Sequence, residues 1–274
     1  MRCSRRVDKD DESGDFTHGR GEYGRTLSPS DLGGEGFGNL LEAPAFTQHE
    51  RPGRYQLPVV VLMCDFTRPN STNSPCLMSW HEVKTLFHEM GHAIHSMIVR
   101  TSYHNVSGTR STTDFVKLPS ILMEHFVQSP QVVSIVARHH KTGANLAFEH
   151  LDSHSQAFNS LKGLDTYRQI LLALVKHLYH AEETHPQVRL GPLFAYGSTY
   201  YTYLSERVIA SKIRDELFAP NPLSMQAGGV FKFKCLKYCG GNDFWQMLAD
   251  VVEAENVRDG DSKSMDEAGK WGIE

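Results

Sequence analysis

The sequence predicts a mainly helical protein with a small β element, organised around one helix that carries the pattern H-E-x-x-H. Three observations predict this. A capped amphipathic run occupies residues 79–97. Further helix-like runs, punctuated by Pro, Gly and Ser-Pro signals, fill most of the chain after it. Only residues 55–64, YQLPVVVLMC, have the β-branched and apolar continuity of a strand.

Residues 1–54 are charged and Gly-rich and have almost no apolar periodicity, so strand fragments and loops are expected there. A polar, Pro-containing loop, residues 66–78, follows the strand. Ser79 followed by Glu82 has capping-box spacing and marks a helix start. Val83, Leu86, Phe87, Met90, Ile94 and Met97 recur at three- and four-residue steps and predict one apolar face. Gly91 costs roughly 1 kcal/mol against Ala in a helix interior, a cost consistent with close passage of a strand or substrate. Pro119 falls in the first turn of the next helix, over residues 119–127. Ser129-Pro130 starts another, expected to end near Gly143. Residues 164–179, with the run Ile170 to Val175, read as a largely buried helix. A helix beginning at Tyr200 runs toward Leu217 and is stopped by Asn221-Pro222. Residues 243–252 form a last short helix, and residues 256–274 read as a polar tail.

The chemistry sits on the first helix. His88 and His92 are four residues apart, so both imidazoles leave one face one turn apart. That spacing suits two ligands of a tetrahedral zinc. Glu89 is rotated away by a quarter turn or more, where it can deprotonate a metal-bound water instead of ligating the metal. The bland alternative is a helix with surface His and Glu that bind nothing. A third helical His ligand would fall at position 98, which is Ile98, so a third ligand has to come from elsewhere in the chain. His95 reads as a residue behind the ligands or on the helix surface, because three consecutive His on one straight helix fit a tetrahedron poorly.

The rest of the composition excludes several classes. With a formal net charge of −4 and scattered basic residues, no nucleic-acid footprint appears. No apolar run approaches the roughly 20 residues needed to span a bilayer, so no membrane insertion is expected. The first residues carry no signal-peptide core, and acidic residues follow Arg5 and Arg6 too soon for a transit peptide. Cys3, Cys64, Cys76, Cys235 and Cys239 are an odd, scattered set that suggests a reducing compartment. Cys235 and Cys239, one helical turn apart, are a weak metal signal.

Several stretches together resemble the thimet-oligopeptidase-like zinc endopeptidases, neurolysin among them, and within them the branch that processes mitochondrial precursors. They are YQLPVVVLMCDF at 55–66, EVKTLFHEMGHAIHSM at 82–97, VSGTRSTTDFVKLPSILMEHF at 106–126, DTYRQILLA at 165–173 and YGSTYYTYLSERVIASKI at 196–213. They occur in family order. The resemblance implies a gluzincin-type active-site helix, with His88 and His92 as zinc ligands and Glu89 as general base. It implies Tyr200 and Tyr203 as donors to the oxyanion, although from the residues alone they are an aromatic patch at a helix start. It divides the chain into a segment at 1–54 that continues a truncated domain, a catalytic region at 55–255 and the tail at 256–274. It further implies a peptide or precursor-protein substrate, trimming of N-terminal octapeptides from imported precursors, and the mitochondrial matrix as location, with the cytoplasm otherwise.

Two positions depart from the family pattern. The third-ligand glutamate of D-F-x-E-x-P-S is here Lys117, and a substrate-binding histidine is here Pro192. A protonated Lys has no lone pair for a metal. Asp114 or Glu124 are the candidates to replace the lost ligand, although Glu124 lies roughly 10 Å of helix rise beyond Lys117. The alternative expectation is therefore a truncated, catalytically impaired remnant that at most binds a peptide or a partner.

Overall fold

The computed structural model describes residues 39–42, 58–67, 75–146, 148–181 and 199–273. Most of the 1–54 segment, and Pro192, lie outside the described residues. The fold is mainly helical with one small sheet, as the sequence predicts. β1 (Asn39–Glu42) pairs antiparallel with β2 (Val60–Met63), with Asn39 opposite Met63 and Glu42 opposite Val60. The sheet lies against α1 (Trp80–Ile98).

The start of α1 is held as its sequence demands. The Ser79 hydroxyl accepts from the Glu82 N–H, and the Glu82 carboxylate accepts from the Ser79 N–H at 2.7 Å. The same carboxylate accepts from the Thr67 N–H at 2.6 Å and so ties the preceding loop to the helix. These donors lower the Glu82 carboxyl to about 2.

After two short turns come α2 (Leu118–Gln128), with Pro119 in its first turn, and α3 (Pro130–Val136), which begins after Ser129. α3 ends at Val136, well before Gly143, where the chain instead makes a bridge between Arg138 and Asn145. α4 (Phe148–Ala181) is 34 residues long. α5 (Thr202–Ile213) continues into a π-helical turn, Arg214–Phe218, just short of Asn221-Pro222. α6 (Met225–Phe231) is capped by Ser224 and α7 (Phe244–Val252) by Asp243.

The stretch expected as a polar tail is folded. α8 (Ser262–Ala268) is capped by Asp261, and Val257 and Ala268 are buried there. The core gathers around α2, α5 and α7, with Phe115, Leu122, Ile213, Phe218, Phe244 and Leu248 in one cluster. Cys235 and Cys239 are buried within it, and the Cys239 thiol lies 3.5 Å from the Gly108 carbonyl.

Two faces differ from their sequence reading. On α1 the expected apolar stripe is only partly covered, and Met90 and Met97 are exposed. The deeply buried residues are instead Glu89, Gly91, Ala93, His95 and Ser96. The helix is enclosed from two sides, and its polar and small side meets α2. On α4 the run expected to be buried is exposed at Leu164, Tyr167, Ile170, Leu171, Leu174 and Val175. Among the described residues α4 rests on α3 and α5, and these cover only part of its circumference. An apolar run reports that a face wants a neighbour, not that one is present.

Candidate active site

α1 and α2 lie side by side and run in opposite directions, because Gly91 lets their backbones touch. A Cβ built at Gly91 would sit 2.5 Å from the Ser120 Cα and 2.8 Å from the Pro119 carbonyl oxygen. The neighbour that requires this glycine is therefore α2, not a strand or a substrate. At this separation Lys117, Ser120 and Glu124, spaced three and four residues apart, line the α2 face toward α1.

His88 and His92 come together on α1, ring centroids 5.0 Å apart and edge to face. The His88 Nδ1–H donates to Glu124 Oε1 at 2.6 Å. A carboxylate can only accept, so Nδ1 carries a proton and Nε2 is the ring nitrogen not taken by Glu124. The other Glu124 oxygen receives the Lys84 ammonium at 2.8 Å. Burial would raise the Glu124 carboxyl, but His88 and Lys84 outweigh it and hold the group well below the usual carboxylate range. Glu124 thus joins the site, across the interhelix contact and not along its own helix. It occupies the outer nitrogen of His88, the place of an orienting group and not of a metal ligand.

His92 is neutral, because burial first, and then His88 and Lys117, push its pKa well below the ordinary value. Its Nε2 lies 3.1 Å from Ser120 Oγ, and its buried Nδ1 has no hydrogen-bond partner. Glu89 is almost fully enclosed at 4% exposure, and burial raises its carboxyl against the opposing pull of His88 and Lys117. His95 is fully buried behind these residues, edge-on to Phe115 at 5.2 Å, and neither ring nitrogen has a partner. It is not a surface residue.

Lys117 stands at the N-cap of α2. Its ammonium donates to the Tyr203 hydroxyl and lies 3.6 Å from the Tyr203 ring centroid. Its backbone N–H donates to Glu206 Oε1 at 2.8 Å. Glu206 is fully buried, its Oε2 has no partner, and burial raises its carboxyl well above the ordinary range. Sequence reasoning missed this residue. The available signal was a glutamate on the buried stripe Thr202, Glu206, Ile209, Ile213 of α5.

The remaining predicted residues lie nearby but are engaged. The Tyr200 hydroxyl donates to Gln169 Oε1 at 2.9 Å, and its ring packs on Tyr203 at 4.9 Å. Asp114 accepts from the Tyr201 hydroxyl at 3.1 Å. A catalytic zinc takes three protein ligands. Here two imidazoles come together, and Lys117 stands where the family resemblance expects the third ligand. Among the described residues no group of three His, Cys, Asp or Glu could hold a metal ion. The donor set as it stands does not fit a complete zinc site.

A helical region that sets H-E-x-x-H against a second helix lined with polar groups belongs, by class, with the metallopeptidases. The comparisons make that particular. The model of Peptidase family M3 matches residues 38–190 and 181–267, and the chain belongs to that family. Its whole length is 63% identical to the mitochondrial intermediate peptidase of Mycosarcoma maydis, covering 34% of that protein. It is 43% identical to the mitochondrial intermediate peptidase of Malassezia globosa, covering 36% of it. It is 41% identical to mitochondrial intermediate peptidase 1 of Cryptococcus neoformans, covering 40%. The chain thus spans a little over a third of the length of the curated relatives it matches. No helix among the described residues is long and apolar enough to cross a membrane.

Proposed function

We propose that this chain is the catalytic region of a zinc endopeptidase of the mitochondrial intermediate peptidase type. On this reading it acts on peptides, and on N-terminal octapeptides of precursors imported into the mitochondrial matrix. The observation that carries the proposal is the juxtaposition of His88, Glu89 and His92 on the enclosed side of α1, in a chain of this family. Glu89 is the proton carrier. Its burial raises its carboxyl toward the working pH, which suits a group that takes a proton and returns it to the leaving amine. On this reading Tyr203 and Tyr200 are the donors to a developing oxyanion. Zinc is the cofactor this reading calls for, with His88 and His92 as its donors; Lys117 holds the third place.

Lys117 favours a second reading, in which the site binds a peptide or partner without hydrolysing it. One assay separates the two. A synthetic precursor peptide spanning an octapeptide junction is incubated with the protein, and products are read by mass spectrometry while binding is read by anisotropy. Under the first reading specific cleavage occurs and Glu89→Gln slows it by about 10² or more. Binding without cleavage supports the second reading. Cleavage unaffected by Glu89→Gln, or neither binding nor cleavage, counts against both.

A further inference from the structure

A half-open cavity of about 390 Å³ lies where the last turn of α2, the start of α3, α4 and the π-helical turn after α5 meet. Its size falls within the roughly 300–1,000 Å³ of small-molecule pockets. None of His88, Glu89, His92 or Lys117 lines it. Among the described residues that do line it, three are basic and none is acidic: His125 of α2, Lys162 of α4 and Arg214 of the π-helical turn. Charges on solvated helix faces point away from one another, whereas here three elements turn theirs toward one space. Arg214 and Phe218 begin and end the π-helical turn, and both line the cavity. Such turns recur at functional sites. Phe126 meets Phe218 edge to face at 5.0 Å and forms an apolar wall with it. Asp215 accepts from Arg214 Nη2 at 2.6 Å but does not line the cavity. A guanidinium carries five N–H donors in a fork, so an ion pair at one end is compatible with a second anion along another edge. Burial first, then Arg214 and Lys162 against the pull of Glu124, lower the His125 imidazole to about 4. At neutral pH it is an uncharged hydrogen-bonding partner.

We propose that this cavity binds a small organic anion, a carboxylate or phosphate monoester joined to a flat apolar body. The anionic group sits between Arg214 and Lys162, where a guanidinium can grip two oxygens at once and an ammonium adds a point charge. His125 shares a ring nitrogen with it. The apolar body lies on the wall of Phe126 and Phe218. Both halves of the ligand follow from the lining. Basic groups without a lining acid select the charge, and the aromatic wall selects against a bare ion. The site is separate from the peptidase reading, because it uses none of the residues that reading assigns.

The test uses the full chain and four probes at low salt: phenyl phosphate, phenylacetate, inorganic phosphate and phenol. Binding is read by titration calorimetry and by the rise in melting temperature that a ligand of the folded state produces. At least one of the two aromatic anions should bind at millimolar concentration, and the tighter of them names the anionic group. Inorganic phosphate should bind about tenfold more weakly than phenyl phosphate, since it leaves the aromatic wall uncovered. Phenol should not bind measurably. Arg214→Gln should weaken the aromatic anion about tenfold or more, the usual loss for a hydrogen bond to a charged group. Lys162→Glu puts a carboxylate on the cavity wall and should abolish binding over the same range. No binding of either aromatic anion overturns the proposal. So does phenol binding as tightly as the anions, or an affinity that Arg214→Gln and Lys162→Glu leave unchanged. If Arg214→Gln does not fold, Lys162→Glu decides.

Discussion

Gly91→Ala should destabilise the protein by about 3 kcal/mol, near the top of the usual range for overpacking. A single methyl group is added, and in a free helix that change is stabilising by roughly 1 kcal/mol. The sign reverses because of what the methyl meets. It would lie 2.5 Å from the Ser120 Cα, 2.8 Å from the Pro119 carbonyl and 2.9 Å from the Ser120 nitrogen, all backbone atoms. A flexible side chain could swing aside, but the first turn of α2 cannot. Relief requires separating the two helices. That would pull Glu124 from His88 and Ser120 from His92. Thermal unfolding followed by circular dichroism is the check, and a loss near 3 kcal/mol lowers the midpoint by roughly 6–12 °C in a protein of this size. A variant that melts with the unmodified protein would mean that α1 and α2 do not touch backbone to backbone.

Between pH 6.5 and 4 the protein should lose about 3 kcal/mol through His95 alone. Burial holds this imidazole at a pKa of about 4, against 6.5 for the free side chain. Between those values the unfolded chain takes up a proton that the folded chain refuses. The stabilisation is therefore complete above pH 6.5 and is lost as pH falls toward 4. His92, also held neutral by burial, adds to the loss in the same direction. His95→Phe removes the first contribution while keeping a ring against Phe115, and it removes two buried nitrogens that have no partner. Denaturant melts of both proteins at pH 7.0, 5.5 and 4.5 should show the variant gaining on the unmodified protein as the pH falls. Parallel losses would show that His95 titrates in the folded state as it does in water.

Local signals along the chain were legible because their physics is local. The capping box of Ser79 and Glu82, the prolines at the starts of α2 and α3 and the Asp243 cap each satisfy backbone groups within a few residues. The proximity of His88 and His92 is equally local, since one helix suffices to bring them together. What sequence reading lacked was the neighbour. Periodicity showed that α1 has an apolar side but not that α2 would cover the opposite one. It counted Glu124 as two turns from Lys117 along one helix, whereas the distance that matters runs across to His88. It took the apolar run of α4 as buried, and it took residues 256–274 as a tail although α8 packs there. Glu206 was missed for the same reason, because its meaning comes from Lys117, 89 residues away in the chain.

The cysteines provide a built-in clock for opening of the fold. Cys76 is exposed and Cys64 half-covered, whereas Cys235 and Cys239 are sealed in the core, where burial pushes the Cys235 thiol far above its ordinary range. A maleimide or disulfide reagent reacts with thiolates it can reach. Cys76 therefore reports arrival of the reagent, and Cys235 and Cys239 report only the moments when the core parts. Their labelling rate, read by peptide mapping, measures the openings around α6 and α7 directly. It does so in the unaltered protein, with no dye attached and no residue replaced.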